Sequence, residues 1–121
     1  HVLLWVANEP ERLSKRAQAL VEADDTRLCF SVASLWEIAI KRGLGRGNLS
    51  ANPRRLRQRS LETGLSELMI NAEHAFAAGT LPPVHGDPFD RILVAQAMTE
   101  GATLMTADRV LRGYEIDVVL A

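Results

Sequence analysis

The sequence predicts an α/β domain in which a mostly parallel sheet is covered by helices on both faces. Short segments rich in β-branched and aromatic residues alternate with segments that have a helical spacing of apolar residues, an order typical of parallel sheets. The chain has 121 residues, 47% of them hydrophobic and 24% charged, as is usual for a globular domain. We therefore treat residues 1–121 as a single domain.

The first half of the chain is predicted to contain three helices and one strand. After the apolar run VLLWVA, a polar helix at about 14–23 places small and aliphatic residues on one face. LCFSV, Leu28–Val32, has the composition of a buried strand. SLWEIAIKRG follows with helical spacing and stops in the glycine-rich segment GLGRGN. Asn52 and Pro53 then supply an N-cap and a first helical position for a helix to about Leu61.

The second half repeats the alternation. SELMI, Ser66–Ile70, is predicted as a strand and NAEHAFAAG as a short helix, whereas the two consecutive prolines of TLPPVHG indicate a loop. An apolar helix begins at Pro88 with Asp87 as its N-cap. The strand ATLMT, Ala102–Thr106, a helical turn after Asp108 and the strand Asp117–Leu120 complete the chain.

Three acids, Glu37, Asp90 and Asp108, are predicted to meet at the carboxyl edge of the sheet, where open parallel sheets bind ligands. Each also has an ordinary interpretation. Glu37 could pair with Lys41 one helical turn later, Asp108 could cap a helix, and Asp90 could favour the positive end of the helix dipole. However, Asp90 lies on the apolar arc of its helix, where a carboxylate needs a partner or a cation.

Converging carboxylates repel one another unless a cation binds or one of them is protonated. An all-oxygen set suits Mg²⁺ or Mn²⁺, so we expect Glu37, Asp90 and Asp108 to be both metal ligands and catalytic residues. Zinc is disfavoured, because the cysteine and the histidines show no ligand spacing; these residues are Cys29, His1, His74 and His85. Such a site would favour hydrolysis of a phosphodiester.

The formal net charge is −1, so contact with a nucleic acid would depend on a local basic patch. RRLRQR, residues 54–59, holds four arginines, with further basic residues upstream. The candidates for RNA contact are Lys41, Arg42, Arg54 and Arg55. A solvated helix face is an equally good interpretation. The single cysteine suits a reducing cytoplasm, and neither a membrane span nor a signal peptide is expected.

Four segments together resemble one family: HVLLW, SVASLWEIAIKRGLG, NAEHAFAAGTLPPVHGDPFDRILVAQAM and TLMTAD. The resemblance is to the PIN domain, specifically to the VapC-type toxins of toxin–antitoxin pairs, and it covers essentially the whole chain. It implies a three-layer α/β sandwich and a metal-dependent endoribonuclease with four acidic positions. Three of those positions match Glu37, Asp90 and Asp108. Ser34 and Thr106 match small hydroxyl positions beside the acids, and Asp87 matches a residue that we assign to capping.

The resemblance also implies an RNA substrate, a homodimer and a cognate antitoxin protein as partners. The fourth acid of the family lies at the end of a first, central strand, in a motif whose histidine resembles His1. We therefore expect that strand and its aspartate to precede His1, and the sheet of this chain to be interrupted between Leu28–Val32 and Ala102–Thr106. A chain without them is expected to have reduced metal binding and activity.

Two other functions remain to be compared with a nuclease. A phosphoacceptor receiver domain also clusters acids at strand ends, but it would need a lysine after a late strand, and the lysines here are Lys15 and Lys41. A non-catalytic module could keep the fold and only an antitoxin-binding or RNA-binding surface. Metal binding distinguishes the last alternative, because a nuclease site takes Mn²⁺ and a pure binding module need not.

Overall fold

A computed structural model describes residues 10–45 and 52–121. Its helices are α1 (Lys15–Glu22), α2 (Val32–Gly43), α3 (Pro53–Glu62), α4 (Ala72–Thr80) and α5 (Pro88–Glu100). Its strands are β1 (Cys29–Ser31), β2 (Ser66–Leu68), β3 (Leu104–Thr106) and β4 (Val118–Leu120), and 3₁₀ turns cover Pro10–Arg12 and Arg109–Gly113. Within these two ranges no helix is both long and apolar enough to cross a membrane.

The strands form two parallel pairs. β1 pairs with β2, with Phe30 opposite Glu67, and β3 pairs with β4, with Met105 opposite Val119. All four predicted strands are present, although each is shorter than expected. Among the described residues no ladder joins β1 to β3, so the predicted interruption of the sheet is confirmed there. The predicted opening segment, residues 1–9, and part of GLGRGN lie outside the described residues.

Local capping sets the ends of the helices where the sequence predicted it. The Asn52 side chain accepts from the backbone N–H groups of Arg54 and Arg55, at 3.0 and 3.3 Å, so that α3 begins at Pro53. Asp87 caps α5 in the same way. Gly101 ends α5 with a φ of 63°, a left-handed conformation that glycine adopts at little cost. These ends depend only on neighbouring residues.

Helix α2 begins at Val32, inside the segment predicted as strand and two residues before the predicted helix. The cause is Ser31, whose hydroxyl accepts from the backbone N–H of Ala33 at 3.0 Å and donates to Oε1 of Gln96 at 2.5 Å. The buried hydroxyl therefore ends β1, caps α2 and ties both to α5. As a result, Glu37 lies in the second turn of α2.

Two apolar clusters hold the elements together. The larger cluster packs α5 against the 3₁₀ turn after β3 through buried Leu81, Val94, Ala95, Leu111 and Tyr114. The smaller one packs α1 against β4 through Leu13, Ala17 and Val119. The larger cluster lies directly beneath the loop before α5 and the end of β3. It therefore fixes the relative positions of the two segments that carry Asp90 and Asp108.

Candidate active site

The start of α5 and the end of β3 bring three ionisable side chains together. One ligand atom from each of His85, Asp90 and Asp108 lies within 4.8 Å of the other two. Asp90 lies in the first turn of α5, and Asp108 comes two residues after β3. These are two of the three acids that were predicted to meet at the carboxyl edge; the third, Glu37, is not in this group. Together with the imidazole, they form a group that could hold a metal ion.

Asp108 has a structural role and is also available to the site. Its Oδ1 accepts from the backbone N–H of Val110 at 3.0 Å, which caps the following 3₁₀ turn, as its ordinary interpretation proposed. Its Oδ2 faces His85 Nε2 at 2.9 Å. Thr106 supports this position, because its hydroxyl oxygen accepts from the N–H of Asp108 at 3.1 Å. One oxygen therefore holds the backbone and the other faces the cluster.

His85 links the two acids through one ring nitrogen. Its Nε2 is 2.9 Å from Oδ2 of Asp108 and 3.4 Å from Oδ2 of Asp90. Its Nδ1 accepts a hydrogen bond from the backbone N–H of Asp87 at 2.9 Å. Because Nδ1 is an acceptor here, the proton of the ring is assigned to Nε2. His85 thus acts as a donor to the carboxylates, and in this tautomer Nε2 is not available as a metal ligand.

Glu37 stands at the margin of the cluster. Its Oε2 is 3.3 Å from Nζ of Lys41, the pairing that its ordinary interpretation proposed. Glu37 does not belong to the group whose ligand atoms lie within 4.8 Å. Its charge nevertheless acts on Asp90 across the gap between α2 and α5. Ser34, one turn before Glu37, is partly exposed, which leaves the carboxylate room to move.

Like charges surround Asp90. Partial burial is the main cause that raises the pKa of its carboxyl, and the charges of Asp87, Glu37 and Asp108 raise the pKa further. His85 acts in the opposite direction. The Asp90 carboxylate is therefore held in an environment that disfavours its charge. A cation placed among these acids would reverse that effect.

Arg91 fixes the loop that carries His85. Its Nη1 donates to the carbonyls of Pro82 and His85, and its Nη2 donates to those of Ala78 and Leu81, over distances of 2.9–3.3 Å. The hydroxyl of buried Tyr114 accepts from the N–H of His85 at 2.9 Å. A planar guanidinium suits such a set of carbonyls because its donors diverge in one plane. The loop is thus tied to α4, to α5 and to the core.

Sequence reasoning did not identify His85, Arg91 or Tyr114 as parts of the site. For His85 a signal existed, because it lies two residues before the capping Asp87, in a loop that must end at the carboxyl edge. The search for metal-ligand spacing missed it, since the imidazole approaches Asp108 across 23 residues of sequence. For Arg91 the sequence offers only a polar residue within a mostly apolar helix. Its partners are backbone carbonyls that no sequence pattern marks.

The basic candidates lie on two helices that pack against each other, α2 and α3. Arg42, in the last turn of α2, and Arg54 and Arg55, in the first turn of α3, are exposed. Lys41 pairs with Glu37. Arg57 of the same RRLRQR segment makes a bidentate pair with Glu67. Some of the predicted cations are thus engaged within the protein, whereas Arg42, Arg54 and Arg55 extend from its surface.

Comparisons with known proteins identify related sequences. The family model described as the PIN domain matches residues 1–116. The chain is similar to Ribonuclease VapC22 of Mycobacterium tuberculosis, with 34% identity over 126 aligned positions that cover 94% of the chain and 87% of that relative. No solved structure matches the chain significantly.

Proposed function

Because this chain belongs to the PIN domain family and is of the VapC type, we propose that it is a metal-dependent endoribonuclease, the toxin of a toxin–antitoxin pair. The family is one of ribonucleases with an α/β fold, and the short parallel strands and packed helices agree with that fold. For this chain we further propose a bound metal ion, catalytic residues, partner molecules and a cytoplasmic location.

The observation that carries the proposal is the convergence of Asp90 and Asp108 under one imidazole, with Glu37 and Asp87 close enough to act on Asp90. Several carboxylates at one place repel one another, and the two nearest oxygens share a single N–H of His85. A divalent cation fits this donor set. The proton on His85 Nε2 lies between two carboxylate oxygens, a position in which positive charge is favoured.

We assign Glu37, Asp90 and Asp108 as the metal ligands and catalytic residues, and Mg²⁺ or Mn²⁺ as the ion. When bound, the ion supplies an acidified water and stabilises negative charge on the phosphoryl group. Asp90 and Asp108 would hold the ion with the backbone around them kept in place by the hydrogen bonds of Asp87 and Thr106. Glu37 would join them by leaving Lys41, a partly exposed pairing worth only a few tenths of a kcal/mol.

The chemical ends of the RNA products test this assignment. Attack by water leaves a 5′-phosphate and a 3′-hydroxyl, and a 2′-deoxy substitution at the cleaved position is tolerated. A histidine between two carboxylates could instead act by acid–base catalysis on the 2′-hydroxyl, and this would leave a 2′,3′-cyclic phosphate. We expect a 5′-labelled RNA incubated with Mn²⁺ to give hydroxyl ends. Cyclic phosphate ends, or binding of RNA without cleavage, would contradict the proposal; the latter is the behaviour of a non-catalytic module.

For the RNA we propose that Lys41, Arg42, Arg54 and Arg55 contact phosphates. Arg42, Arg54 and Arg55 are exposed on the packed helices α2 and α3, and Lys41 becomes available when Glu37 turns towards the ion. Contacts of this kind release counterions, so RNA affinity should fall as salt rises. The alternative of a solvated helix face predicts an affinity independent of these residues.

We also propose that the protein forms a homodimer and binds a cognate antitoxin. Several large apolar side chains are exposed, including Phe76 at 67% and Met69 at 62%, which favours a protein partner. We expect light scattering to give the mass of a dimer and the product of the adjacent gene to co-purify. An antitoxin arginine paired with Asp90 and Asp108 would lower Mn²⁺ affinity in the complex. A monomer with no co-purifying partner would contradict this.

A further inference from the structure

An apolar pocket of about 500 Å³ lies between α2, α4 and the start of α5. Gly86 and Pro88, which line it, are the neighbours of Asp87, and Arg91, which also lines it, follows Asp90. Trp36, on the opposite wall, precedes Glu37 on α2. The pocket and the cluster are thus built from adjacent residues of the same two helices and of the same loop.

Trp36 is the largest side chain at this pocket and remains 55% exposed. Its ring meets that of Phe89 at an interplanar angle of 76°, with the ring centroids 5.0 Å apart. Such an edge-to-face contact orients the indole and still leaves much of its surface open. Phe89 precedes Asp90 and Trp36 precedes Glu37, so each ring belongs to the neighbour in sequence of a predicted site acid.

We propose that Trp36 and this pocket bind an unpaired base of the RNA at the cleaved position. This inference rests on the proposed function. The pocket suits a base better than a phosphate, because its walls are largely apolar and the donors of Arg91 are occupied by backbone carbonyls. Its volume lies within the range of small-ligand sites, and the indole supplies a stacking partner.

In this arrangement the phosphate of that nucleotide would lie outside the pocket, towards Asp90 and Asp108. The site would therefore take single-stranded RNA, because a base within a duplex is stacked and paired and cannot reach Trp36. Stacking on an aromatic side chain tolerates any base. We accordingly assign the pocket to holding the strand rather than to reading its sequence.

The test measures RNA binding without cleavage, in the full chain with Asp90→Asn as background. The tryptophans of the sequence are Trp5 and Trp36. The fluorescence of Trp36 is therefore obtained as the difference between the protein with Trp36 and the Trp36→Leu variant. We expect single-stranded RNA to quench it and duplex RNA not to. Trp36→Leu should weaken binding about 5- to 150-fold, the range of one stacked base, and Trp36→Phe should restore part of it. Met98→Leu, at an exposed apolar residue near the end of α5 that is not among the lining residues, is the matched control.

An abasic position in the oligonucleotide completes a double-mutant cycle. The missing base at the cleaved position should weaken binding by the Asp90→Asn protein and should have no further effect when Trp36→Leu is added to it. Equal loss in both proteins would overturn the proposal. So would a Trp36→Leu variant that binds RNA normally but changes from dimer to monomer, since a second copy would then cover the indole. Neither result depends on cleavage, whereas failure of the proposed function would appear as full cleavage by Asp90→Asn alone.

Discussion

Replacing Asp90 by asparagine is expected to reduce RNA cleavage by about 10²–10³-fold or more without unfolding the protein. The amide keeps the size of the side chain but cannot hold a divalent cation with a negative oxygen. The helix start does not depend on Asp90, because Asp87 supplies the cap. Initial rates on a labelled RNA with saturating Mn²⁺ measure the effect, and circular dichroism checks the fold.

The same variant is expected to be more stable than the original protein when no metal is present. Burial and neighbouring acids raise the pKa of Asp90 in the folded state, so folding favours its protonated form. The free energy of unfolding therefore falls as pH rises through the interval between the ordinary carboxyl pKa and the raised one. An asparagine at this position does not ionise, so the variant loses no free energy of unfolding over that pH interval. The melting temperature of Asp90→Asn should exceed that of the original protein at neutral pH, and the difference should vanish at acid pH.

Asp117→Asn is the matched control for both measurements. Asp117 is exposed and precedes β4, at the edge of the strands opposite to Asp108. The same chemical change there should alter neither cleavage nor metal binding. Undiminished cleavage by purified Asp90→Asn would remove Asp90 from the mechanism, and equal losses in the two variants would indicate a general effect of lost charge.

Removing divalent ions is the second change with a large expected effect. Chelation should abolish cleavage, and Mn²⁺ or Mg²⁺ should restore it, because the neighbouring acids repel one another at Asp90 and the His85 N–H offsets only part of that repulsion. The ion should also stabilise the fold, since it binds the assembled cluster and not the unfolded chain. At a free concentration of 100 times Kd this amounts to about 2.7 kcal/mol. It corresponds to a rise of about 10 °C in the melting temperature.

The thermal shift distinguishes a site in this protein from metal bound by the RNA, because it is measured without RNA. It should be lost in Asp90→Asn and in Asp108→Asn and kept in Asp117→Asn. Full cleavage in the presence of excess chelator would contradict a metal mechanism and favour acid–base catalysis through His85.

The parts of this protein that follow from neighbouring residues were predictable from the sequence. Asn52, Asp87 and Asp108 cap the elements that follow them, each by accepting from an N–H two or three residues away. The four strands were recognised from their composition. The interruption between β1 and β3, by contrast, rested on the family resemblance. The edge shared by Asp90 and Asp108 followed from strand order alone, since parallel strands end on the same side.

The contacts that give the site its chemistry were decided by the tertiary structure. His85 reaches Asp108 across 23 residues, and Arg91 gathers carbonyls from the preceding loop and from α4. Ser31 meets Gln96 across 65 residues, which moves the start of α2. Glu37 turns to Lys41 while still acting on Asp90, a balance between a local pair and a distant charge. Sequence periodicity determines which face of an element is apolar and which residues cap it. The partner that a polar side chain contacts depends on packing between distant segments. Patterns of neighbouring residues in a single sequence do not predict that packing.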